Sequence, residues 1–385
     1  MENQKTNVKV VAAAFIGIFF FGVAFLVLGA VLPSLKGALA LTDAQASTLA
    51  STLPLGTLLG SLVFGPVIDR RGYKILLAIA TALGIVGMEL LAFTGSFNVA
   101  VCAVALIGVC GGMLNGSTNA LVSDSSSDRT RTSNIFILGL VYCLGAYAIT
   151  AIISAATKAS LPYAEILKWT GVIMAVSLVY YLVIKFPEAK CKQGVPVKDM
   201  LKMAAEPTLL IFGFTLFFQS GLEGMANNWT STFLGTPEKG FSIEAAGKAL
   251  TFIPIGLAIS RALLSVISRF ASNKAIVLVS MCFAAAGEVL IWTASSEPVV
   301  IAGAIVLGMG LAATFPVCFS ILGEKYKQMS GTAFSVALVI ALIGNTILNK
   351  IVGALGASSL PVVILVAIVC LVGFFLTGCK VSKKA

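Results

Sequence analysis

Twelve stretches of this chain run almost without a charged side chain, and that feature decides most of what the chain can become. Each is about twenty residues long, enough to cross about 30 Å of hydrocarbon as a helix. Inside a bilayer the backbone must satisfy its own hydrogen bonds, which leaves helices and closed barrels as the options. Runs this long and this apolar read as helices. Windows of about nineteen residues place the spans at roughly 9–33, 45–68, 74–94, 98–121, 133–156, 164–186, 207–234, 245–268, 274–294, 298–321, 330–353 and 357–378. Only 11% of residues are charged, against about a quarter in a soluble domain. The expected fold class is therefore all-α and integral to the membrane. The first run, Val10 to Pro33, is too long for the core of a signal peptide and is expected to remain as a span.

The longest polar interval, "PEAKCKQGVPVKDMLKMAAEP" (187–207), separates six spans from six. The expected organisation is an N-terminal six-helix bundle over 1–186, a cytoplasmic linker over 187–206 and a C-terminal six-helix bundle over 207–385. With the N-terminus inside, 19 Lys and Arg fall in inward segments and 6 in outward ones, leaving Arg261 within a span. The positive-inside rule then puts both termini in the cytoplasm. It also accounts for the net charge of +10 without nucleic acid. A multi-pass, monomeric protein of the cell membrane, of bacterial inner-membrane type, is expected, with the lipid bilayer as its main partner.

Eight cysteines and no histidine bound the chemistry. Cys102, Cys110, Cys143, Cys191, Cys282, Cys318, Cys370 and Cys379 form no C-x-x-C pair and are expected to be small buried apolar residues. No metal site is expected, and no nucleophile–base pair marks an enzyme.

A shift of about 200 residues relates the two halves. "LPLG" (53–56) matches "IPIG" (253–256), Gly108 matches Gly308, Lys74 matches Lys274, and Glu89 lies 199 residues before Glu288. Two parallel repeats of this kind describe a transporter plan, with a site near the membrane midplane. The turn after span two, "GPVIDRRGYK" (65–74), is unusually charged. Through Gly65, Asp69, Arg70, Gly72 and Lys74 it resembles the G-x-x-x-D-R-x-G-R-R/K signature of the major facilitator superfamily, with Tyr73 where an Arg is usual. The second copy, "SRFASNK" (268–274), keeps Arg269 and Lys274 but has no Asp. The resemblance implies that Asp69 caps a helix of the opposite half and pairs with an Arg after span four, for which Arg129 and Arg131 are the candidates. These residues together form the expected conformational gate. "GGMLNGSTNAL" (111–121), the Glu and Trp of span seven and "GMGLAATFP" (308–316) resemble sugar porters of the fucose–galactose–glucose proton symporter type. That group associates proton coupling with acids in spans one and four. Here span one has no ionisable residue and span four offers Asn115 and Asn119, so any coupling has to rest elsewhere.

Polar groups at membrane depth are costly and mark functional candidates. Span seven, "FFQSGLEGMANNWTSTF" (217–233), puts Gln219, Glu223 and Asn227 on one helix face, with Asn228 and Trp229 beside them. Amides and a carboxylate suit sugar hydroxyls, and an indole suits a sugar's C–H face. Glu223, able to alternate between charged and neutral forms, is the candidate proton carrier, with H+ the only coupling ion considered and no cofactor. Asn115 and Asn345 are further candidate ligands, each with a second Asn four residues on. Arg261 would either bind an anion or hold structure. Glu89 and Glu288, near the outer ends of their spans, are expected to reach interfacial water. The expected function is a secondary transporter of a small polar solute, foremost a sugar. The alternatives are an exporter of amphipathic compounds, an organic-anion transporter using Arg261, and a non-transporting receptor.

Overall fold

A computed structural model describes residues 8–189, 202, 203 and 205–382. Most of the expected linker lies outside these residues, as do Cys191 and the inward basic residues Lys5, Lys190, Lys192, Lys198, Lys383 and Lys384. The described residues form α-helices joined by short turns and no strand. They are α1 (Val8–Ala38), α2 (Asp43–Arg71), α3 (Tyr73–Ala92), α4 (Phe97–Ser125), α5 (Arg131–Lys158), α6 (Tyr163–Val183), α7 (Pro207–Leu234), α8 (Ile243–Ile267) and α9 (Asn273–Thr293). Then come α10 (Glu297–Leu311), α11 (Thr314–Lys325), α12 (Ser330–Leu355) and α13 (Leu360–Ser382). Counting α10 and α11 as one interrupted span gives twelve helices long and apolar enough to cross a membrane.

Helix starts follow local chemistry. Thr42 closes a capping box with Gln45 ahead of α2. Ser96, Ser242 and Ser272 turn their hydroxyls onto the first free N–H groups of α4, α8 and α9. Between α2 and α3 the chain reverses at Gly72 with φ 80°, a backbone setting that disfavours any side chain.

Contacts divide the chain into two compact units. The first holds Met1–Ser126, Val141–Pro196 and Tyr326–Ser335; the second holds Ser127–Leu140, Val197–Lys325 and Val336–Ala385, each so far as its residues are described. Thus α5 and α12 each start in one unit and continue in the other.

The repeat read from the sequence recurs as packing inside each unit. A Cβ on Gly56 would lie 2.7 Å from the Ala105 carbonyl oxygen, and one on Gly256 would lie 2.1 Å from that of Ile305. Likewise Gly108 faces the Leu53 carbonyl at 2.5 Å and Gly308 the Ile253 carbonyl at 2.0 Å. Small residues let helix backbones approach closely in lipid, where packing rather than hydrophobic collapse joins helices. In the first unit this brings α2 onto α4, and in the second α8 onto α10. Glycines at the same spacing therefore do the same work 200 residues apart.

Candidate functional site

The polar stripe of α7 meets α10 and α12 within the second unit. Gln219 is fully buried, and its Nε2 donates to Glu223 Oε1 at 2.9 Å and to the Leu311 carbonyl at 2.7 Å. Leu311 is the last residue of α10, so a side-chain amide serves the carbonyl at the point where the span breaks. Glu223 is half-buried, and Arg261 stands close enough for its charge to act on that carboxylate. The buried Arg261 also donates from Nη1 to the Gly139 carbonyl at 2.9 Å. One turn past Glu223, exposed Asn227 bonds back to the Glu223 carbonyl at 2.7 Å.

The facing surface of α12 is an amide ladder. Asn228 Nδ2 and Trp229 Nε1 both donate to Asn349 Oδ1, at 3.0 and 3.1 Å. Asn349 Nδ2 donates to the Asn345 carbonyl at 2.8 Å and to Asn345 Oδ1 at 3.0 Å. Asn345 Nδ2 in turn reaches the Ser220 carbonyl at 2.9 Å. Gly224 makes this possible, since a Cβ there would lie 2.5 Å from Asn345 Oδ1. Gln219, Glu223, Asn228, Trp229 and Asn345 are thus brought together. Asn349, the second Asn of its pair, is the hub that joins Asn228, Trp229 and Asn345. In the first unit, Asn115 is half-buried on α4 and accepts at Oδ1 from Asn119 at 3.1 Å. That is the geometry of the Asn345–Asn349 pair repeated on another helix.

The charged turn is a helix clasp. Asp69 is fully buried and lies at the N-terminus of α12: Oδ2 accepts from the Thr332 N–H at 2.9 Å and the Thr332 hydroxyl at 2.6 Å, and Oδ1 from the Gly331 N–H at 3.3 Å. A carboxylate suits that position, where unmade N–H bonds and the helix dipole both favour a negative charge. Gly65, one turn earlier, allows the contact, because a Cβ there would lie 2.4 Å from the Gly331 carbonyl oxygen. Arg70 and Arg71 are exposed and Lys74 is half-exposed.

Tyr73, in place of the usual Arg, is buried and its hydroxyl bonds Asp124 Oδ2. The same oxygen accepts from Ser330 Oγ at 3.1 Å, so Asp124 also holds the first turn of α12. Asp124 escaped the sequence reading. The signal was present in the departure at Tyr73, since a phenol replacing a cation needs an acceptor at the same place.

The second unit carries a corresponding contact at the start of α5. Thr132 Oγ1 donates to Ser320 Oγ at 2.7 Å, Ser133 Oγ bonds the Ser265 carbonyl, and Arg269 Nε donates to Ser133 Oγ at 3.2 Å. Arg131 pairs with Asp128 at 2.7 Å and approaches Glu324 at 4.0 Å, whereas Arg129 is exposed.

Two expectations are corrected. Glu288 does not reach interfacial water; it is fully buried, because Gly287 and Gly303 draw α9 and α10 together around it. Its counterpart Glu89 is half-exposed and rests over Gly171. Among the cysteines, Cys110 and Cys318 are buried, but Cys102 and Cys282 are exposed on outward helix faces.

Twelve membrane-competent helices in a repeated pattern, with a helix-capping Asp after the second, define a multi-pass membrane protein of transporter architecture. The profile of the Major Facilitator Superfamily matches residues 14–347, and the chain belongs to that family. It is 20% identical over 354 residues to the uncharacterized MFS-type transporter YfkL of Bacillus subtilis, covering 90% of this chain and 88% of that protein. Among solved structures it is similar to the Escherichia coli fucose:proton symporter FucP, with TM-score 0.79, 16% identity and coverage of 97% of this chain and 98% of FucP. It is also similar to the proton:xylose symporter XylE, with TM-score 0.79, 13% identity and coverage of 98% and 96%.

Proposed function

We propose that this protein is a secondary active transporter that carries a small polar solute, foremost a sugar, by alternating access, with Glu223 as the proton-coupling group. The observation that carries the reading is the grouping on α7. A half-buried carboxylate, two exposed carboxamides and a partly exposed indole lie within seven residues, backed by the Asn345–Asn349 ladder. Such a set offers paired donors and acceptors to sugar hydroxyls and an aromatic face to the ring. Asn115 on α4 is a further ligand in this reading. The likeness in fold to FucP and XylE, which carry fucose and xylose with protons, supports the same class of solute.

In this reading Glu223 takes and gives a proton while Gln219 links it to the break between α10 and α11. The Asp69 turn serves as the gate, closing and releasing the start of α12, and the Lys and Arg distribution supports a cytoplasmic position for that turn and both termini. Arg261 is structural, since its guanidinium is engaged by the Gly139 carbonyl.

The test is uptake of a panel of radiolabelled sugars into proteoliposomes under an imposed pH gradient. At least one sugar is expected to accumulate. Glu223→Gln is expected to keep solute exchange while losing gradient-driven accumulation. Failure of every sugar to enter sinks the sugar reading; undiminished accumulation by Glu223→Gln removes Glu223 from the coupling.

A further inference from the structure

Glu288 on α9 is a carboxyl group with nothing to hold. Its side chain is fully buried, and neither Oε1 nor Oε2 has a hydrogen-bond partner among the described residues. It lies five residues before the end of α9 at Thr293, which is about 8 Å along the axis. The helix backbones around it pack closely. A Cβ on Gly287 would lie 2.2 Å from the Leu307 nitrogen, one on Gly310 2.2 Å from the Ala284 nitrogen, and one on Gly303 3.0 Å from the Ile291 nitrogen. The backbones of α9 and α10 therefore touch along the whole stretch that carries Glu288.

Among the described residues, no charged side chain on the elements packed against α9 is placed to compensate an ionised carboxylate there. The elements packed on α9 are α10, α11 and α13. From Pro298 to Leu311, α10 has no titratable side chain; α11 has Cys318 before Glu324, and α13 has Cys370 and Cys379 before Lys380. On α9 itself, Cys282 and Lys274 lie nearer its start. At its far end Lys239 Nζ is bonded to the Trp292 and Ala294 carbonyls, and Lys248 is paired with Glu297 at 2.6 Å. An ionised carboxylate buried without donors or counter-charge costs several kcal/mol, whereas the neutral acid costs only the unmade bonds of a polar group.

We propose that Glu288 is a proton-binding site of this transporter, separate from Glu223. In the conformation described here it is a neutral carboxylic acid. When the α9–α10 contact loosens and water enters, the carboxyl O–H bond breaks, water takes the proton and a hydrated carboxylate remains; closure reverses the step. A merely structural acid would have a partner to position. Glu288 has none among the described residues, and its isosteric amide or Leu would fill the space without needing a proton. The site rests neither on the identity of the solute nor on the role of Glu223.

Infrared spectroscopy of the protein in lipid bilayers tests this without a substrate. The carbonyl stretch of a neutral carboxylic acid is expected from mildly acidic to mildly alkaline pH. It should be lost in Glu288→Gln and kept in Glu223→Gln. Glu288→Leu, whose side chain suits the same apolar setting, should lose the same band if the Gln variant does not fold. A Glu288→Gln or Glu288→Leu spectrum that superposes on the parent overturns the proposal. Transfer to heavy water reads the release step: the band is expected to shift slowly as the contact opens. A band that never shifts shows a static acid and overturns the release.

Discussion

Replacing Asp69 by Asn removes one charge and leaves the shape of the turn unchanged, which makes it a sharp test of the clasp. In the parent, one carboxylate receives three hydrogen bonds, at 2.6, 2.9 and 3.3 Å, in a fully buried setting. Hydrogen bonds to a charged group contribute about 1.5–3 kcal/mol each, and a carboxylate at a helix N-terminus gains about 0.3–1 kcal/mol from the dipole. Asn keeps one acceptor oxygen but turns an NH2 toward donors, so one face of the clasp is lost outright. The expected loss is about 2–3 kcal/mol, which shifts the balance between clasped and released states roughly 30- to 150-fold at about 1.36 kcal/mol per decade.

Spin labels at Arg71 and Lys327, both exposed, report the separation of the turn from the start of α12 by pulsed electron resonance in lipid, with native cysteines replaced. A released population is expected to become dominant in Asp69→Asn. Glu165→Gln is the control, because it removes a carboxylate from an exposed pair with Lys168, and such pairs contribute about 0–1 kcal/mol. A distance distribution that Asp69→Asn leaves unchanged would refute the capping argument, because three buried bonds cannot be weakened without consequence.

Gly65→Val forces two γ-methyls against the Gly331 carbonyl and Ser335 Cβ, already 2.4 and 2.7 Å from a Cβ. Overpacking of this kind costs about 1–3 kcal/mol, so the same labels should show release, with Gly29→Ala, which meets nothing, as the silent control. Tyr73→Phe removes one donor to Asp124 while Ser330 remains. It should lower thermal stability in detergent by an amount matching about 1.5–3 kcal/mol, and an unshifted melting curve would count against the phenol's part in the clasp. Arg269→Ala should leave the label distances nearly unchanged, because it removes one bond to the Ser133 hydroxyl at the start of α5 and none from the Asp69 clasp.

The twelve spans were legible because runs of apolar residues near twenty long have one outcome in lipid, and the 200-residue offset was legible because Gly56, Gly108, Gly256 and Gly308 each allow a backbone contact that a Cβ would forbid. The α7 stripe was legible from its helical spacing. The Asn345–Asn349 ladder beneath it was half-seen: the i, i+4 pair was evident, but that Asn349 would receive both Asn228 and Trp229 depends on the approach of α12 at Gly224. The burial of Glu288 is not legible in the same way, because nearness to a helix end implies exposure, whereas the neighbouring Gly287 and Gly303 close the two helices around it. The interruption of α10 after Leu311 is legible in Pro316, which has no N–H to give the Ala312 carbonyl four residues before it and whose ring crowds that carbonyl, while Gln219 from another helix supplies a donor to the neighbouring Leu311 carbonyl.

The degenerate second copy of the charged turn now has a physical consequence. At the 200-residue offset, Arg269 stands where Asp69 does, Glu324 where Asp124 does, and Thr132 where Thr332 does. Within the first unit, Asp69 meets backbone N–H groups, so its charge and the α12 dipole reinforce each other. Within the second, a cation occupies the corresponding place at the start of α5, where the dipole disfavours it. Arg269 accordingly reaches a hydroxyl, Ser133 Oγ at 3.2 Å, and the other bonds, Thr132 to Ser320 and Ser133 to the Ser265 carbonyl, join neutral groups. Neutral bonds contribute about 0.5–1.5 kcal/mol each, roughly half of a charge-assisted one. Two contacts alike in topology are therefore unequal in strength, and the unequal term is the charge that the second copy lacks. Removing Arg269 takes away a bond that the helix dipole already opposes, whereas removing the charge of Asp69 takes away one that the dipole supports.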